Sequence, residues 1–455
     1  MKVFNTLSRQ KEAFLPQGEV VTMYVCGVTT YDDCHIGHAM SYVLFDVIRR
    51  YLEFKGYRLK YVQNFTDVDD KIIKRAWEMG VSPRELADKY IAHYFRDMDA
   101  LNIKRADIYP RVTEEIATIV EIIQGLIDKG CAYEAEGDVY FRVKKFQGYG
   151  KLSHRKLAEM SSTVDADIEK KESPLDFALW KKAKEGEPFW SSPWGEGRPG
   201  WHIECSAMAL KYLGNSIDIH GGGQDLIFPH HENEIAQAES YSGYAPYAKY
   251  WLHNGLLQLG EEKMSKSVGN LISVQEVLGR FSADALRLSI LGSHYRSSLN
   301  YGDETLESSE KGATRLRQAA CAKTGEGSKK ADILLPLVKE RFIEAMDDDF
   351  NTARATAVLF DLAREINRAS DMGASVVEAQ ETLKELSGVL GLSLEERDVP
   401  VAQEAAPFID LLISVRNELR HSRQWQMADE VREGLSELGI ILEDTATGTI
   451  WKYHR

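Results

Sequence analysis

Cysteine is scarce in this chain, and long apolar runs are absent from it. Five cysteines among 455 residues form an odd, scattered set, unlike the dense, even sets that staple small secreted domains. No segment reaches the about 18 consecutive apolar residues that a membrane helix needs, and residues 1–11 lack the apolar stretch of a secretory signal. These features predict a cytoplasmic location, reduced thiols and no membrane partner.

Basic residues are also fewer than acidic residues. The chain has 56 Lys and Arg residues against 70 Asp and Glu residues, which gives a formal net charge of −14. This balance argues against nucleic-acid binding driven by bulk charge, so a nucleic-acid partner has to meet a local basic patch. The candidate patch consists of Arg416, Arg420, His421 and Arg423.

The rest of the composition is that of a globular protein with several domains. Hydrophobic residues make up 44% of the chain and charged residues 28%, which excludes fibrous and mostly disordered proteins. At about 100 to 200 residues per domain, a length of 455 residues predicts two to four domains.

The first third of the sequence alternates between strand and helix patterns. Residues 20–26 are rich in β-formers, and residues 41–54 carry apolar side chains at helical spacing. Residues 57–65 predict a second strand, followed by a helix that opens near Thr66 or Asp67. This alternation predicts an α/β fold with a Rossmann-like parallel sheet, in which ligands bind beyond the carboxyl ends of the strands.

The remaining two thirds differ from this pattern. Residues 111–199 are lysine-rich and irregular, which predicts an insertion, whereas almost everything after Tyr301 has a helical pattern. The predicted domains are a catalytic domain in two halves (1–110 and 200–252), a connective insertion (111–199), a loop-bearing connective segment (253–303), a helical bundle (304–392) and a small C-terminal region (393–455).

Two histidines flank a glycine where the loop after the first predicted strand leads into the first helix, in the sequence His35-Ile36-Gly37-His38. The amides of a helix N-terminus attract phosphate, glycine permits close approach of a nucleotide, and imidazoles donate hydrogen bonds to phosphate oxygens. By itself the pattern is equally compatible with two solvent-facing histidines at a helix start.

A second motif, Lys263-Met264-Ser265-Lys266-Ser267, lies between two glycines, Gly260 and Gly269. Lysine is a mobile point charge suited to phosphates whose charge changes during a reaction. Alone, this segment is more simply a solvated basic loop. Together with the first motif in one α/β chain, it is similar to the paired signature of class I aminoacyl-tRNA synthetases.

Four widely separated residues have side chains typical of a metal site. Cys26 ends the first strand, Cys205 lies in a Trp-containing stretch, and His230 and Glu234 are four residues apart at the start of a helix. Because residues four apart share one helical face, both can reach one ion, whereas His231 and Glu232 are expected to point elsewhere. Two thiolates, an imidazole and a carboxylate favour zinc over magnesium or calcium. Without a family, the alternatives are a buried hydrophobic role for Cys26 and an amphipathic surface helix.

The chain resembles the cysteinyl-tRNA synthetase family over essentially its whole length. The resemblance rests on both motifs above, on residues 26–29, 64–71, 200–208 and 220–234, and on residues 347–352. It implies a Rossmann-like catalytic domain, a helical bundle and a C-terminal anticodon-binding region in a monomer whose substrates are L-cysteine, ATP and tRNA-Cys. It also implies one zinc ion on Cys26, Cys205, His230 and Glu234, and Mg²⁺ that accompanies ATP. The implied ATP-binding residues are His35, Gly37, His38, Lys263, Ser265, Lys266 and Ser267, of which His35, His38, Lys263 and Lys266 neutralise phosphate charge.

The resemblance extends to less distinctive positions. It implies that Trp201 and His231 line the amino-acid pocket, and that Arg420, Asp429 and Asp444 read anticodon bases; a surface salt-bridge network explains the last three nearly as well. We expect Asp348, Asp349 and Asn351 to form a helix start in the bundle. One departure is Met40, which stands where relatives often carry arginine, so that a polar contact near the nucleotide is missing or is supplied elsewhere.

Three other functions fit parts of these patterns. A cysteine ligase with an amino-sugar acceptor would share the catalytic motifs but lack a tRNA-reading tail. A zinc-dependent RNA-binding protein without activity would lose Lys263 to Ser267, which are intact. A purely structural α/β protein would need neither motif.

Overall fold

The computed structural model describes residues 1–157, 160, 170–259, 262–263, 272–324, 331–395, 400–445 and 448–453. The strands are β1 (Lys2–Asn5), β2 (Gln10–Ala13), β3 (Val20–Thr29), β4 (Arg58–Thr66), β5 (Ala132–Ala135), β6 (Asp138–Phe141), β7 (Phe177–Lys182), β8 (Gly197–Pro199), β9 (Ile217–Gly223), β10 (Ala248–Asn254), β11 (Leu257–Leu259), β12 (Glu262–Lys263), β13 (Leu299–Tyr301), β14 (Ile440–Thr445) and β15 (Gly448–Tyr453). The helices are α1 (Ile36–Phe54), α2 (Asp70–Met79), α3 (Pro83–Ala100), α4 (Ile116–Asp128), α5 (Trp201–Leu213), α6 (Glu232–Ser242), α7 (Val274–Arg280), α8 (Ala283–Leu291), α9 (Asp303–Ala320), α10 (Leu335–Asp347), α11 (Thr352–Asp371), α12 (Val377–Val389), α13 (Pro400–His421) and α14 (Trp425–Glu437).

A four-stranded parallel sheet in the order β10-β9-β3-β4 organises the catalytic part of the chain. Its strands are rich in β-branched and aromatic residues, and helices α1 and α6 form the crossovers between parallel neighbours. The predicted α/β fold class with a parallel sheet is confirmed.

The predicted element limits need two corrections. Helix α1 begins at Ile36 rather than at residue 41, because the His35 side chain caps it by accepting hydrogen bonds from the backbone N–H groups of Gly37 and His38. The next helix begins at Asp70, since β4 continues through Thr66 and Asp69 provides the cap.

The segment predicted to be irregular contains a second sheet. Strands β5, β6, β7 and β8 form an antiparallel sheet in that order, and Trp180 on β7 is fully buried in its core. These strands are only three to six residues long, which is too short for their periodicity to stand out in the sequence.

The chain divides into two compact units, Met1–Leu394 and Glu395–Arg455. In the first, helices α9 to α12 pack around apolar side chains such as Leu316, Leu359 and Leu383. The second unit contains α13, α14 and the antiparallel hairpin β14–β15, packed around Ile409, Leu435 and Leu442. The predicted helices of the bundle are present, but α14 and the hairpin were not predicted.

A buried ion pair joins α1 to α8 within the first unit. The Arg287 guanidinium is fully buried and donates to Asp46 at 2.6 Å and to the carbonyl oxygens of Leu101 and Leu390 at 2.9 Å. Gly391 leaves room for it, because an added Cβ there would lie 1.9 Å from the guanidinium, and its φ of +70° favours glycine.

Among the helices that the structure describes, none is both long and apolar enough to cross a membrane.

Candidate metal and nucleotide site

A bulge in β3 positions the first candidate metal ligand. Cys26 and Gly27 together oppose the single residue Asn64 on β4, so the register shifts between Val25 and Val28. The Asn64 side chain is the partner of the bulged backbone, since its Oδ1 accepts a hydrogen bond from the Gly27 N–H at 2.9 Å. Such a bulge turns a side chain away from the regular pleat and commonly lies beside a functional site.

Glycine is required at the bulge because the two strands almost touch there. A Cβ on Gly27 would lie 1.5 Å from the carbonyl oxygen of Asn64, so the backbone would have to move. We expect Gly27→Ala to lower the free energy of unfolding by about 3 kcal/mol or more, through overpacking. Denaturant unfolding measures the loss, and Gly18→Ala is the control because an added Cβ at Gly18 has no neighbour within 4 Å. An unfolding midpoint equal to that of the parent would contradict this reading of the bulge.

The four predicted metal ligands converge on one point. Ligand atoms of Cys26, Cys205, His230 and Glu234 all lie within 4.8 Å of one another. The two sulfur atoms are 3.8 Å apart, and His230 Nε2 lies 3.0 Å from Glu234 Oε1. All four residues are buried, so the cluster is formed in the protein interior from β3, α5, the turn 227–231 and the start of α6.

His231 lies beside this cluster rather than pointing away from it, which corrects the expectation from helical spacing. Its Nε2 atom is 3.3 Å from Cys26 Sγ, and together with His220 it forms a second donor set that shares Cys26 and Glu234. The helical rule failed because the turn 227–231 is not a regular α-helix: Phe228 has φ −139° and ψ 130°. The other side chain expected to point elsewhere, Glu232, accepts from the backbone N–H of Ser153 at 2.8 Å.

Proton sharing and burial set the charges of the cluster. The pKa of the Cys205 thiol falls to about 6 because the Cys26 thiol donates a hydrogen bond to it, whereas burial raises the pKa of Cys26. Burial disfavours charge on His230, but Glu234 and Cys205 outweigh it and raise the pKa of His230 to about 10. Likewise, His220 and His230 overcome burial and hold the pKa of Glu234 well below its usual range. In the metal-free protein Cys205 and Glu234 are therefore anionic, whereas Cys26 and His230 hold protons that a bound metal ion would have to displace.

The residues present fit a zinc ion. Two sulfur donors, one imidazole and one carboxylate form a closed buried set, which is the donor chemistry of zinc and not that of magnesium or calcium. In addition, the Nδ1 atom of His220 is buried beside the cluster without a hydrogen-bond partner among the described residues. An unsatisfied polar atom packed against a donor set indicates a polar site that accepts a further group.

Trp201 borders the cluster on the side that faces solvent. It is the first residue of α5, its ring stacks on that of His230 at a centroid distance of 4.2 Å, and 41% of its surface is exposed. The predicted pocket residues Trp201 and His231 therefore lie on two sides of the same cluster, one exposed and one fully buried.

The first signature motif forms the N-terminus of α1. His35 caps the helix through Nδ1, and the rings of His35 and His38 stack with centroids 3.7 Å apart. Two backbone hydrogen bonds, Ile36 N to Ile272 O and Val274 N to Cys34 O, join this motif to the chain that follows the second motif. The N-terminus of α1 is thus held next to Ile272 and Val274, which follow the second motif in the sequence.

The second motif lies largely beyond what the structure describes. Lys263 ends strand β12, whereas Ser265, Lys266 and Ser267 lie outside the described residues. Met40, the departure from the family pattern, is a buried core residue of α1 with 2% of its surface exposed.

The predicted helix start in the bundle is only partly right. Asn351 caps α11 by accepting from the Arg354 N–H at 3.1 Å, but Asp349 is a fully buried carboxylate in the preceding turn, with φ +63°. Its partners are Phe4 N at 2.7 Å, Tyr295 Oη at 2.9 Å and Arg296 Nε at 2.9 Å. This carboxylate therefore fastens the N-terminal hairpin to the segment before the bundle.

The proposed anticodon residues all lie in the second unit. Arg420 is in the last turn of α13 and Asp429 is on α14, both at exposed positions, while Asp444 is on β14 with its side chain outside the described set. Their role stays a prediction.

Sequence reasoning missed three residues around the cluster: Asn64, His220 and His253. His220 Nε2 lies 2.8 Å from Glu234 Oε2, and His253 Nε2 lies 2.8 Å from His231 Nδ1. The register of β9 against β10 could have identified His220 and His253. In that pairing His220 lies opposite Trp251, which is two positions before His253 on the same strand. That register depends on long-range pairing, which the local pattern does not contain.

Comparisons with known proteins agree with this arrangement. Residues 14–311 match the family of tRNA synthetases class I (C) catalytic domains, and residues 341–395 match the DALR domain. The chain is 57% identical over 454 residues to a cysteine–tRNA ligase of Dehalococcoides mccartyi, with 99% of each chain covered. It is 49% identical over 477 residues to the cysteine–tRNA ligase of Heliobacterium modesticaldum, again with 99% of each covered.

A solved structure with the same fold is that of the Mycobacterium tuberculosis methionyl-tRNA synthetase in complex with methionyl-adenylate. The TM-score is 0.58 at 16% identity, and the match covers 87% of this chain and 94% of that chain. At this identity the likeness supports the fold alone. The full-length identities above go further: this chain belongs to the cysteine–tRNA ligase family of class I aminoacyl-tRNA synthetases.

Proposed function

We propose that the protein activates L-cysteine with ATP and transfers it to tRNA-Cys. The observation that carries this proposal is the buried cluster of two cysteines, a histidine and a glutamate, in a chain that matches cysteine–tRNA ligases from end to end. In the first step the cysteine carboxylate attacks the α-phosphorus of ATP and pyrophosphate leaves. In the second step the 3′-terminal adenosine of the tRNA attacks the activated carbonyl and AMP leaves.

The nucleotide binds at the N-terminus of α1. His35, Gly37 and His38 meet its phosphates there, and the N-terminal amides of the helix add partial positive charge. Lys263, Ser265, Lys266 and Ser267 bind the same nucleotide, with the two lysines neutralising phosphate charge, and Mg²⁺ accompanies ATP. Since the reaction moves charge onto the leaving pyrophosphate, these residues catalyse by positioning and electrostatic stabilisation.

Cysteine is recognised at the cluster of Cys26, Cys205, His230 and Glu234. A zinc ion held by these residues would supply a position for the substrate thiolate that the neutral hydroxyl of serine fills poorly. A pocket that relied on shape would separate the two amino acids by only about 10²-fold, so the remaining discrimination would depend on this donor set. Trp201 and His231 enclose the amino acid on either side.

Transfer to tRNA requires the second compact unit, which carries Arg420, Asp429 and Asp444. Arginine makes bidentate contacts with guanine, and aspartate accepts from an amino group of cytosine or adenine. The enzyme works as a monomer, in which one chain supplies both the catalytic part and the anticodon reader.

Cysteine-dependent exchange of pyrophosphate into ATP, measured with purified full-length protein, tests the first step directly. We expect exchange with cysteine and a rate with serine lower by more than about 10²-fold. Exchange that serine supports as well as cysteine, or no exchange at all, would contradict the proposal.

Removal of the second unit separates the two steps. We expect a chain truncated after Leu394 to keep cysteine-dependent exchange and to lose charging of tRNA-Cys by about 10²-fold or more, since the three lost base contacts are worth about 1 to 3 kcal/mol each. Exchange and aminoacylation are measured on one preparation whose folding is checked by circular dichroism. If the full-length chain activates cysteine but never charges tRNA, a cysteine ligase with an amino-sugar acceptor explains the protein better.

A further inference from the structure

The two oxygens of the buried Asp349 carboxylate accept four hydrogen bonds from other segments of the chain. Oδ1 accepts from the Phe4 N–H at 2.7 Å and from the Tyr295 hydroxyl at 2.9 Å, and Oδ2 accepts from Arg296 Nε and Nη2, each at 2.9 Å. Four donors on two oxygens need a side chain that only accepts. An asparagine would turn an NH2 group towards some of these donors, so the position requires a carboxylate.

The backbone at this carboxylate is held in an uncommon conformation. Asp349 and Phe350 have φ values of +63° and +51°, and neither residue is a glycine. The Asp349 N–H also donates to the carbonyl oxygen of Lys2 at 2.9 Å. A strained conformation persists only where the surrounding contacts over-determine it, and such residues cluster at functional sites. The turn therefore points to a role for the exact position of the carboxylate.

The segment that Asp349 holds packs against the end of a strand of the catalytic sheet. The carbonyl oxygen of Tyr295 accepts from the N–H of Gly255, the residue directly after β10, at 2.8 Å. Gly255 has no room for a side chain, because an added Cβ would lie 2.2 Å from the carbonyl oxygen of Ser297. Residues 294–298 are therefore fixed at the carboxyl end of the parallel sheet, where ligands bind in folds of this kind.

The same segment leads into a strand that supports Lys263. Strand β13 pairs in parallel with β11, with Leu299 opposite Leu257, and the Leu299 N–H donates to the carbonyl oxygen of Leu256 at 3.0 Å. Strand β11 pairs in turn with β12, in which Lys263 lies opposite Gln258. Because β12 is the edge strand of the sheet β12-β11-β13, its position follows from that of the other two strands.

We propose that Asp349 is a positioning residue for Lys263: the buried carboxylate fixes residues 294–298, and through β13 and β11 it sets the position of the strand that carries Lys263. This inference rests on the proposed function, in which Lys263 neutralises phosphate charge. The contribution of such a charge depends on its distance from the phosphate, and a misplacement of about 1 Å costs up to about 10²-fold in rate. Recognition of cysteine at the metal cluster does not use this path.

The test is Asp349→Asn in the full-length protein, combined with Lys263→Ala in a double-mutant cycle. We expect Asp349→Asn to lower kcat for cysteine-dependent pyrophosphate exchange by about tenfold and to leave KM for cysteine unchanged. In the Lys263→Ala background the same substitution should cause no further loss of kcat, because both changes act through one residue. A purely structural role would lower kcat by the same factor in both backgrounds, and that result would overturn the proposal.

Hydrogen exchange of backbone amides gives a second readout, which does not depend on activity. In Asp349→Asn we expect the amides of β11 and β12 to exchange faster than in the parent, and those of β3 and β9 to exchange as in the parent. If Asp349→Asn does not fold, Tyr295→Phe replaces it, because this variant removes a single hydrogen bond to the carboxylate and should show the same changes to a smaller extent.

Asp176→Asn is the matched control. Asp176 is also a buried carboxylate, and it accepts from the Tyr133 hydroxyl and from the Val143 N–H, each at 3.0 Å, but it lies beside the sheet β5–β8. We expect this control to lower the melting temperature without changing amide exchange in β11 or β12. Parent-like amide exchange there in Asp349→Asn would overturn the inference. A parent protein without cysteine-dependent pyrophosphate exchange would contradict the proposed function, while amide exchange would still decide whether Asp349 positions β12.

Discussion

Replacing Cys205 by serine is expected to abolish selective use of cysteine while nucleotide binding survives. The serine hydroxyl is neutral at the position where the thiolate binds the metal, so zinc content should fall well below one ion per chain. We expect kcat/KM for cysteine to drop by about 10²-fold or more, which corresponds to a loss of about 3 kcal/mol in transition-state stabilisation. KM for ATP should change by less than about tenfold. Pyrophosphate exchange and metal analysis on the same preparation measure both effects.

The control for Cys205→Ser is Cys131→Ser. Cys131 is only partly buried, and its thiol lies 3.8 Å from the carbonyl oxygen of Lys129, so we expect parent-like zinc content and activity. In cobalt-substituted parent protein, added cysteine should produce a new sulfur-to-metal charge-transfer band and added serine should not. A metal-free protein that still selects cysteine would reduce the cluster to a structural element.

Loss of the second lysine in the loop motif is expected to slow the chemical step rather than substrate binding. Lys266→Ala should lower kcat for adenylate formation by about 10²-fold or more, because a mobile lysine stabilises charge mainly in the transition state. The melting temperature should not change, since the sequence between Gly260 and Gly269 predicts a solvated basic loop.

Stopped-flow or exchange kinetics and thermal melts of Lys266→Ala are compared with those of Lys74→Ala. Lys74 is an exposed lysine on α2, so its removal should alter neither quantity. A kcat equal to that of the parent would exclude Lys266 from the reaction. A rise in KM for ATP at constant kcat would show that the lysine only binds the ground state.

The sequence was informative where structure depends on local pattern. Strands β3 and β4 and helix α1 follow from β-propensity and helical spacing, and the bundle helices follow from apolar periodicity. The four candidate ligands were grouped by their side-chain chemistry and by the family resemblance, and in the structure their ligand atoms lie together.

Features that depend on contacts between distant parts of the chain could not be predicted from the sequence. The bulge at Gly27 depends on how closely β3 approaches Asn64, and the position of His231 depends on a non-helical residue one turn earlier. The sheet β5–β8 is held by pairing between strands of three to six residues, whose hydrophobic pattern is too short to identify alone. In each case the deciding information is a distance between residues far apart in the sequence.

The buried ion pair between Arg287 and Asp46 limits which amino-acid substitutions this protein can accept during evolution. Removing Asp46 alone leaves the buried Arg287 guanidinium without its counter-ion, which commonly costs about 3 to 5 kcal/mol, whereas removing Arg287 alone leaves Asp46 paired with Arg50 at 2.9 Å. Replacing a buried ion pair by apolar residues of similar volume is often nearly neutral. Gly391 is tied to the same pair, because any side chain there meets the guanidinium. Positions 46, 287 and 391 are therefore expected to change together in evolution. A residue other than glycine fits at position 391 only after Arg287 has been replaced by a smaller residue.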